Sequence, residues 1–168
     1  MKFFPTLLAI AAIALLSPSS VPLHAAEKSV TAEPFGKLAL DQKADDILKL
    51  LGKPASMGRD TLMAATGEWV QQWHYPALGL EIGMASAKRG VGKTISTIKA
   101  TAECKLATAR GISIGSPEEA VRKAYRNAED KQQSRRGETF VAGSVYGGVI
   151  FGIKNGKVAS IFIGAAAE

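Results

Sequence analysis

The period of the apolar positions changes several times along this chain, and each change marks an element. Residues 7–16 are an unbroken apolar run of ten. Leu40, Ala44, Ile47 and Leu51 then recur at spacings of three and four, which is one face of an amphipathic helix. Gly52 suits the C-terminal cap of that helix, and Pro54 prevents its continuation. Alternation at every second residue predicts strands over 68–75, 78–85 and 94–106. A second helix is predicted after Ser116, with Val121, Ala124, Tyr125 and Ala128 on its inner face. Ser116 is expected to cap it, Pro117 to take the first helical position and Glu119 to complete a capping box. Three more strands are predicted over 139–146, 148–153 and 157–163, the last two joined at Asn155-Gly156, a strong hairpin signal.

The two series resemble one another. Residues 38–47 lie over residues 112–121 at a constant offset, each reading apolar-x-apolar and then a helix start. Gly92-Lys93-Thr94-Ile95-Ser96-Thr97-Ile98 likewise matches Gly156-Lys157-Val158-Ala159-Ser160-Ile161-Phe162. The expected fold is therefore α+β: two tandem units, each a helix packed on an antiparallel β-sheet. The units are expected at about 37–106 and 112–163, within one globular domain over 37–168. Residues 26–36 are expected to form a flexible N-terminus.

The run at 7–16 has its own meaning. Met1-Lys2 precedes it, Ser17-Pro18-Ser19-Ser20 breaks it, and Leu23-His24-Ala25 ends in a small residue. That order is the signature of a cleavable secretory signal over residues 1–25, and ten apolar residues are too few to span a bilayer. Ala26 and Glu27 follow rather than Cys, so no lipid attachment is expected. The expectation is a periplasmic or secreted domain with no stable membrane anchor after cleavage. The remaining 143 residues of the 168 suffice for one hydrophobic core.

Composition mostly excludes. The formal charge of +6, or +5 without Lys2, is spread along the chain, and aromatic residues are few, so no nucleic-acid groove is indicated. Cys104 is the only cysteine, which rules out an internal disulfide; its apolar neighbours suggest a packed, unreactive thiol. His74 is the only histidine after the signal, so neither a His- or Cys-rich zinc site nor a Ser-His-Asp triad is supported. No metal and no cofactor are expected. Residues 87–94 spell a relaxed P-loop, but β-branched Ile95 to Ile98 follow it where a helix is needed, which favours a hairpin with a solvated Lys93. Glu68 and Glu81 leave a hydrolase as a weak third reading.

Trp69-Val70-Gln71-Gln72-Trp73-His74-Tyr75 is the most informative stretch for binding. Alternation puts Trp69, Gln71, Trp73 and Tyr75 on one face. That face is either core, as large aromatics usually are, or an interface anchor with Gln71 as the sign of a wet surface. Arg135 and Arg136, in a basic loop, are the other candidate contacts, suited to an acidic partner.

Several of these segments together resemble a known family. The stretch Ile112 to Val121, the Leu-Gly-Lys-Pro exit at 51–54, the Trp-His-Tyr-Pro strand at 73–76 running into Leu78-Gly79-Leu80-Glu81, and the Gly-Lys hairpin look like the β-lactamase inhibitory protein-like superfamily. Its smaller relatives include outer-membrane-assembly lipoproteins of the SmpA/OmlA type. The resemblance covers roughly residues 37–163 and implies tandem helix-plus-sheet units that bind other proteins through a sheet face. This chain departs from it in lacking both disulfides and a lipidated Cys. The leading expectation is an exported, non-enzymatic protein-binding domain, an inhibitor, immunity-type or envelope-assembly partner. The alternative is a periplasmic binder of a small molecule or envelope polymer.

Overall fold

In the computed structural model, residue 30 and residues 33–166 are described. The expected signal peptide at 1–25 lies outside the described residues. The elements are α1 (Ala44–Leu51), β1 (Ser56–Met57), β2 (Thr61–Leu62), β3 (Trp69–Tyr75), β4 (Leu80–Ser86), β5 (Thr94–Ala100), α2 (Glu118–Tyr125), β6 (Thr139–Ser144), β7 (Gly147–Lys154) and β8 (Lys157–Gly164).

All eight strands belong to one antiparallel sheet, ordered β1-β3-β4-β5-β8-β7-β6, with β2 also pairing on β3. The expectation of two tandem helix-on-sheet units is thereby corrected. Thr97 to Ala100 pair with Gly164 to Ile161, so the last strand of each half is a neighbour of the other. The α-helices are only eight residues each, a small addition to a mostly β structure. The physical reason is that a strand edge left open presents unpaired N–H and C=O groups, and joining two edges satisfies both. Alternation in a sequence reports that a strand exists, not which edge it meets.

Register then assembles the core. Tyr75, Leu80, Ala100, Ile161, Phe151 and Phe140 stand opposite one another across six strands, and Trp73, Ile82, Ile98, Ile163, Val149 and Ala142 form the next row. All twelve are buried. Ile47 of α1, Val121 and Tyr125 of α2, and Phe35 and Leu38 cover this face in a single apolar cluster. Tyr125 meets Phe151 at 5.2 Å between ring centres, and the Tyr75 hydroxyl donates to the Gly52 carbonyl at the end of α1 (3.1 Å).

Local hydrogen bonding repeats between the halves. Asp41 N–H donates to Ile95 C=O, Ile95 N–H to Gln42 C=O and Ala44 N–H to Lys93 C=O. Gly115, Val158 and Glu118 donate in the same order to Val158, Ser116 and Gly156. These bonds set Ile95 rather than Thr94 in the place of Val158, one residue off the Gly-Lys match. Register shifts at Gly83/Met84 and at Gly152/Ile153 also correspond. A Cβ at Gly83 would collide with Thr97 Oγ1, and one at Gly152 with Ser160 Oγ, so each bulge keeps its glycine under a hydroxyl.

Two local expectations fail. Ser116 does not cap α2: the N-cap is Pro117, and Ser116 Oγ accepts from Ser113 N–H instead. Residues 33–36, expected in a flexible N-terminus, include a fully buried Phe35 and a buried Glu33. Arg110 holds the Glu33 carboxylate at 2.7 Å and stacks 4.6 Å from the Tyr125 ring centre. The Tyr125 hydroxyl donates to Glu33 (3.3 Å); burial above all pushes that hydroxyl up to about 12, so it remains a donor.

At the base of α2, Glu118 accepts from Arg122 (2.9 Å) and from Gly137 N–H (3.2 Å), and Arg122 also meets Glu129 at 2.8 Å. Burial alone would raise the Glu118 carboxyl. The Arg122 and Gly137 hydrogen bonds, with the charges of Arg122 and Arg136, outweigh burial and hold it below its ordinary value. A carboxyl whose folded value is lowered stabilises above its unfolded value, near about 4.3, and the gain fades as pH falls below that. Glu118→Gln should therefore cost about 1–2 kcal/mol at pH 7. Its deficit in denaturation midpoint should shrink below about pH 4. A deficit independent of pH would contradict this account.

Candidate functional site

The alternate side chains point to the face opposite both helices. Across it, His74, Glu81, Lys99, Phe162, Ile150 and Val141 stand in register from β3 to β6. The neighbouring row reads Gln72, Gly83, Thr97, Gly164, Gly148, Gly143, so most of it has no side chain. Gly148 and Gly164 are tightly bounded by backbone: a Cβ at Gly164 would come within 2.6 Å of Ser96 C=O, and one at Gly148 would strike Ala142 C=O.

The larger row is divided in character. Lys99 is exposed and has no ion-pair partner among the described residues. His74 Nδ1 lies 3.9 Å from Glu81 Oε2, too long for a hydrogen bond, and both side chains are about two-fifths exposed. Phe162 and Ile150 are half-buried and Val141 is buried. A hollow of ≈ 270 Å³ opens at the charged end, with His74, Gly79, Glu81, Lys99 and Thr101 around it. Gly79 makes it possible: its left-handed backbone (φ 60°) turns the chain after the Pro76–Leu78 3₁₀ turn, and its carbonyl accepts from Thr101 N–H (2.9 Å).

The residues singled out in the sequence lie elsewhere. Trp73 and Tyr75 are each 4% exposed and sit on the helix-covered face, so they are core and cannot anchor a partner. Trp69, half-buried on the same face, is covered by the Arg89 guanidinium at 5.1 Å. Gln71 is not the sign of a wet surface. Its Oε1 accepts from Trp73 Nε1 (2.9 Å) and from Lys93 Nζ, while its Nε2 donates to Gly58 C=O (2.8 Å). Lys93 pairs with Asp60 and is only 9% exposed, which corrects the expectation of a solvated lysine. The P-loop spelling belongs to the β4–β5 turn, with Gly90 and Gly92 at positive φ and strand following directly. Arg135 and Arg136 are exposed in the loop before β6, towards the opposite edge of the sheet from β3. Arg136 pairs with Glu119 at 2.8 Å, and Arg135 closes a turn with Thr139 through its backbone.

Glu68 and Glu81 do not converge. Glu81 stands opposite His74, six residues along from Glu68, which is roughly 20 Å in an extended strand and far beyond a glycosidase carboxyl pair. Cys104 is buried, and burial pushes its thiol up, as an inert packed cysteine requires. Sequence reasoning missed Lys99, Thr101, Ile150 and Phe162. A signal for two of them existed: Val149-Ile150-Phe151 and Ile161-Phe162-Ile163 are apolar on both phases of the alternation, so some apolar side chains must face away from the core.

No protein-family model matches the chain, and no curated protein or solved structure is significantly similar to it.

Two outcomes follow for the aromatic strand. Trp73→Ala should cost about 3–5 kcal/mol, from lost burial and the cavity left behind. Lys93→Ala should cost about 1–3 kcal/mol, because Asp60 and Gln71 lose their donor in a mostly buried cluster. Lys93→Ala combined with Asp60→Ala should recover part of that loss in urea unfolding. Strict additivity of the two single substitutions would refute the pairing.

Proposed function

We propose that this chain is an exported, non-enzymatic recognition protein whose open sheet face binds another protein. The observation that carries the reading is that Ile150 and Phe162 lie in register on the face away from the helices, directly continuing the charged row of His74, Glu81 and Lys99. Strands stand about 4.8 Å apart, so the row from His74 to Ile150 is about 19 Å long, the scale of a protein contact rather than of a small ligand. Apolar side chains flanked by polar ones, on a scaffold fixed by regular pairing, are what a partner surface needs. Export rests on the signal pattern at 1–25. The open-face reading is the same kind of binding that the superfamily resemblance implies, now assigned to the face away from Trp73.

A second reading has one observation in its favour. The hollow beside Lys99 gathers an amine, a carboxylate, an imidazole and the Thr101 hydroxyl within ≈ 270 Å³, which suits a small polar ligand.

Affinity capture from envelope extract separates these readings. Wild-type chain should retain one or more proteins that Ile150→Lys combined with Phe162→Lys loses, with folding verified by an intact unfolding transition. Leu62→Lys, on the exposed end of β2, should retain them. Equal capture by all three forms would remove the open face as the binding surface.

A further inference from the structure

The internal repetition and the divided row together say more about the partner. The paired hydrogen bonds place Ile95 in the position of Val158 and Lys93 in that of Gly156. Carried past the matching bulges, the same correspondence sets Thr97 with Ser160 and Lys99 with Phe162. Cross-strand pairing extends it: Glu81, opposite Lys99, corresponds to Ile150, opposite Phe162. His74, opposite Glu81, corresponds to Val141, opposite Ile150. Lys99 and Phe162 are themselves paired, so the two halves of the row meet at that point.

Equivalent positions that build the scaffold have stayed alike. Gly83 and Gly152 each lie under a hydroxyl, and both bulges persist. Equivalent positions on this row have not: one half is His74, Glu81 and Lys99, the other a buried Val141 with half-buried Ile150 and Phe162. Ile150 and Phe162 are paired, half-buried neighbours, so the apolar half of the row offers one joint contact. A partner lying symmetrically across the row would offer both halves the same chemistry, yet the halves ask for different chemistry.

We propose that the open face receives an asymmetric segment of a different protein, with an acidic side chain in the hollow against Lys99 and a neighbouring apolar side chain on Phe162 and Ile150. This rests on the open-face reading of the function. The acidic assignment follows from charge complementarity. Lys99 is an exposed cation that makes no ion pair among the described residues, although Glu81 stands opposite it in register, so its charge remains open to an acid from outside. Thr101 lies on the rim of the same hollow, its hydroxyl donating to the Gly79 carbonyl (3.4 Å). Lys99 and Phe162 are directly opposite in an antiparallel pair, about 5 Å apart, so the two partner side chains belong to nearby positions of one segment.

The probe is a random peptide library displayed on phage and selected on the purified chain. Selected peptides should carry Asp or Glu within two residues of a large apolar side chain. Synthetic copies should bind at least tenfold more weakly to Lys99→Glu, and replacing their acid by Lys should restore binding to that variant. Phe162→Thr and Ile150→Thr, mild enough to keep the strands, should each weaken binding as well. Peptides lost with Phe162→Thr but indifferent to Lys99→Glu would overturn the acidic assignment and leave the open face standing. Peptides indifferent to all three variants, or failure to enrich any peptide, would overturn both.

Discussion

The short pairing between Thr97 to Ala100 and Gly164 to Ile161 is the contact on which the rest of the structure depends. It turns two similar halves into one sheet, aligns the apolar rows of both and leaves them a common side away from the helices. Without it, β5 and β8 would each end as an open edge, and each half would be left with a core of marginal size. The helices contribute little length, but Ile47, Val121 and Tyr125 close the other side of that shared core.

Polar side chains fix what the apolar rows leave free. Gln71 ties the segment around Gly58 to the Trp73 ring and to Lys93, so three separate pieces of chain share one cluster. Glu33 does the same for the stretch before α1, held by Arg110 and Tyr125. Glu118 and Arg122 bind the start of α2 to the loop that precedes β6. Each cluster lies on the core side or at its margin, where broken hydrogen bonds are expensive. The open face carries no comparable network: His74 and Glu81 stand 3.9 Å apart, and Lys99 is exposed.

Much of the element order was legible in the sequence because alternation and turn chemistry are local. Asn155-Gly156 does form the β7–β8 turn with both residues at positive φ, and Gly52 ends α1 at φ 78°. The joining of β5 to β8 was not legible, since no local preference names a partner for an edge. The role of Gln71 was misread for a related reason: a polar residue between tryptophans looks wet until the distant Lys93 and Gly58 that satisfy it are known. Ser116 failed as a cap because its hydroxyl is taken by Ser113 N–H, a competition no capping rule anticipates. The candidate site was the least legible part. It is made by register across β3, β4, β5, β8 and β7, and aromatic content drew attention to the opposite face.

If the seam is the contact that unites the sheet, its hydrogen bonds should open only when the whole domain unfolds. Native-state amide hydrogen exchange measures this directly. Amides of 97–100 and 161–164 that bridge β5 and β8 should exchange with the slowest group in the protein, with an opening free energy equal to global stability and the same denaturant dependence. Seam amides that exchange through a smaller opening, while the rest of β4, β5, β7 and β8 stays protected, would show two separable halves and contradict the single sheet.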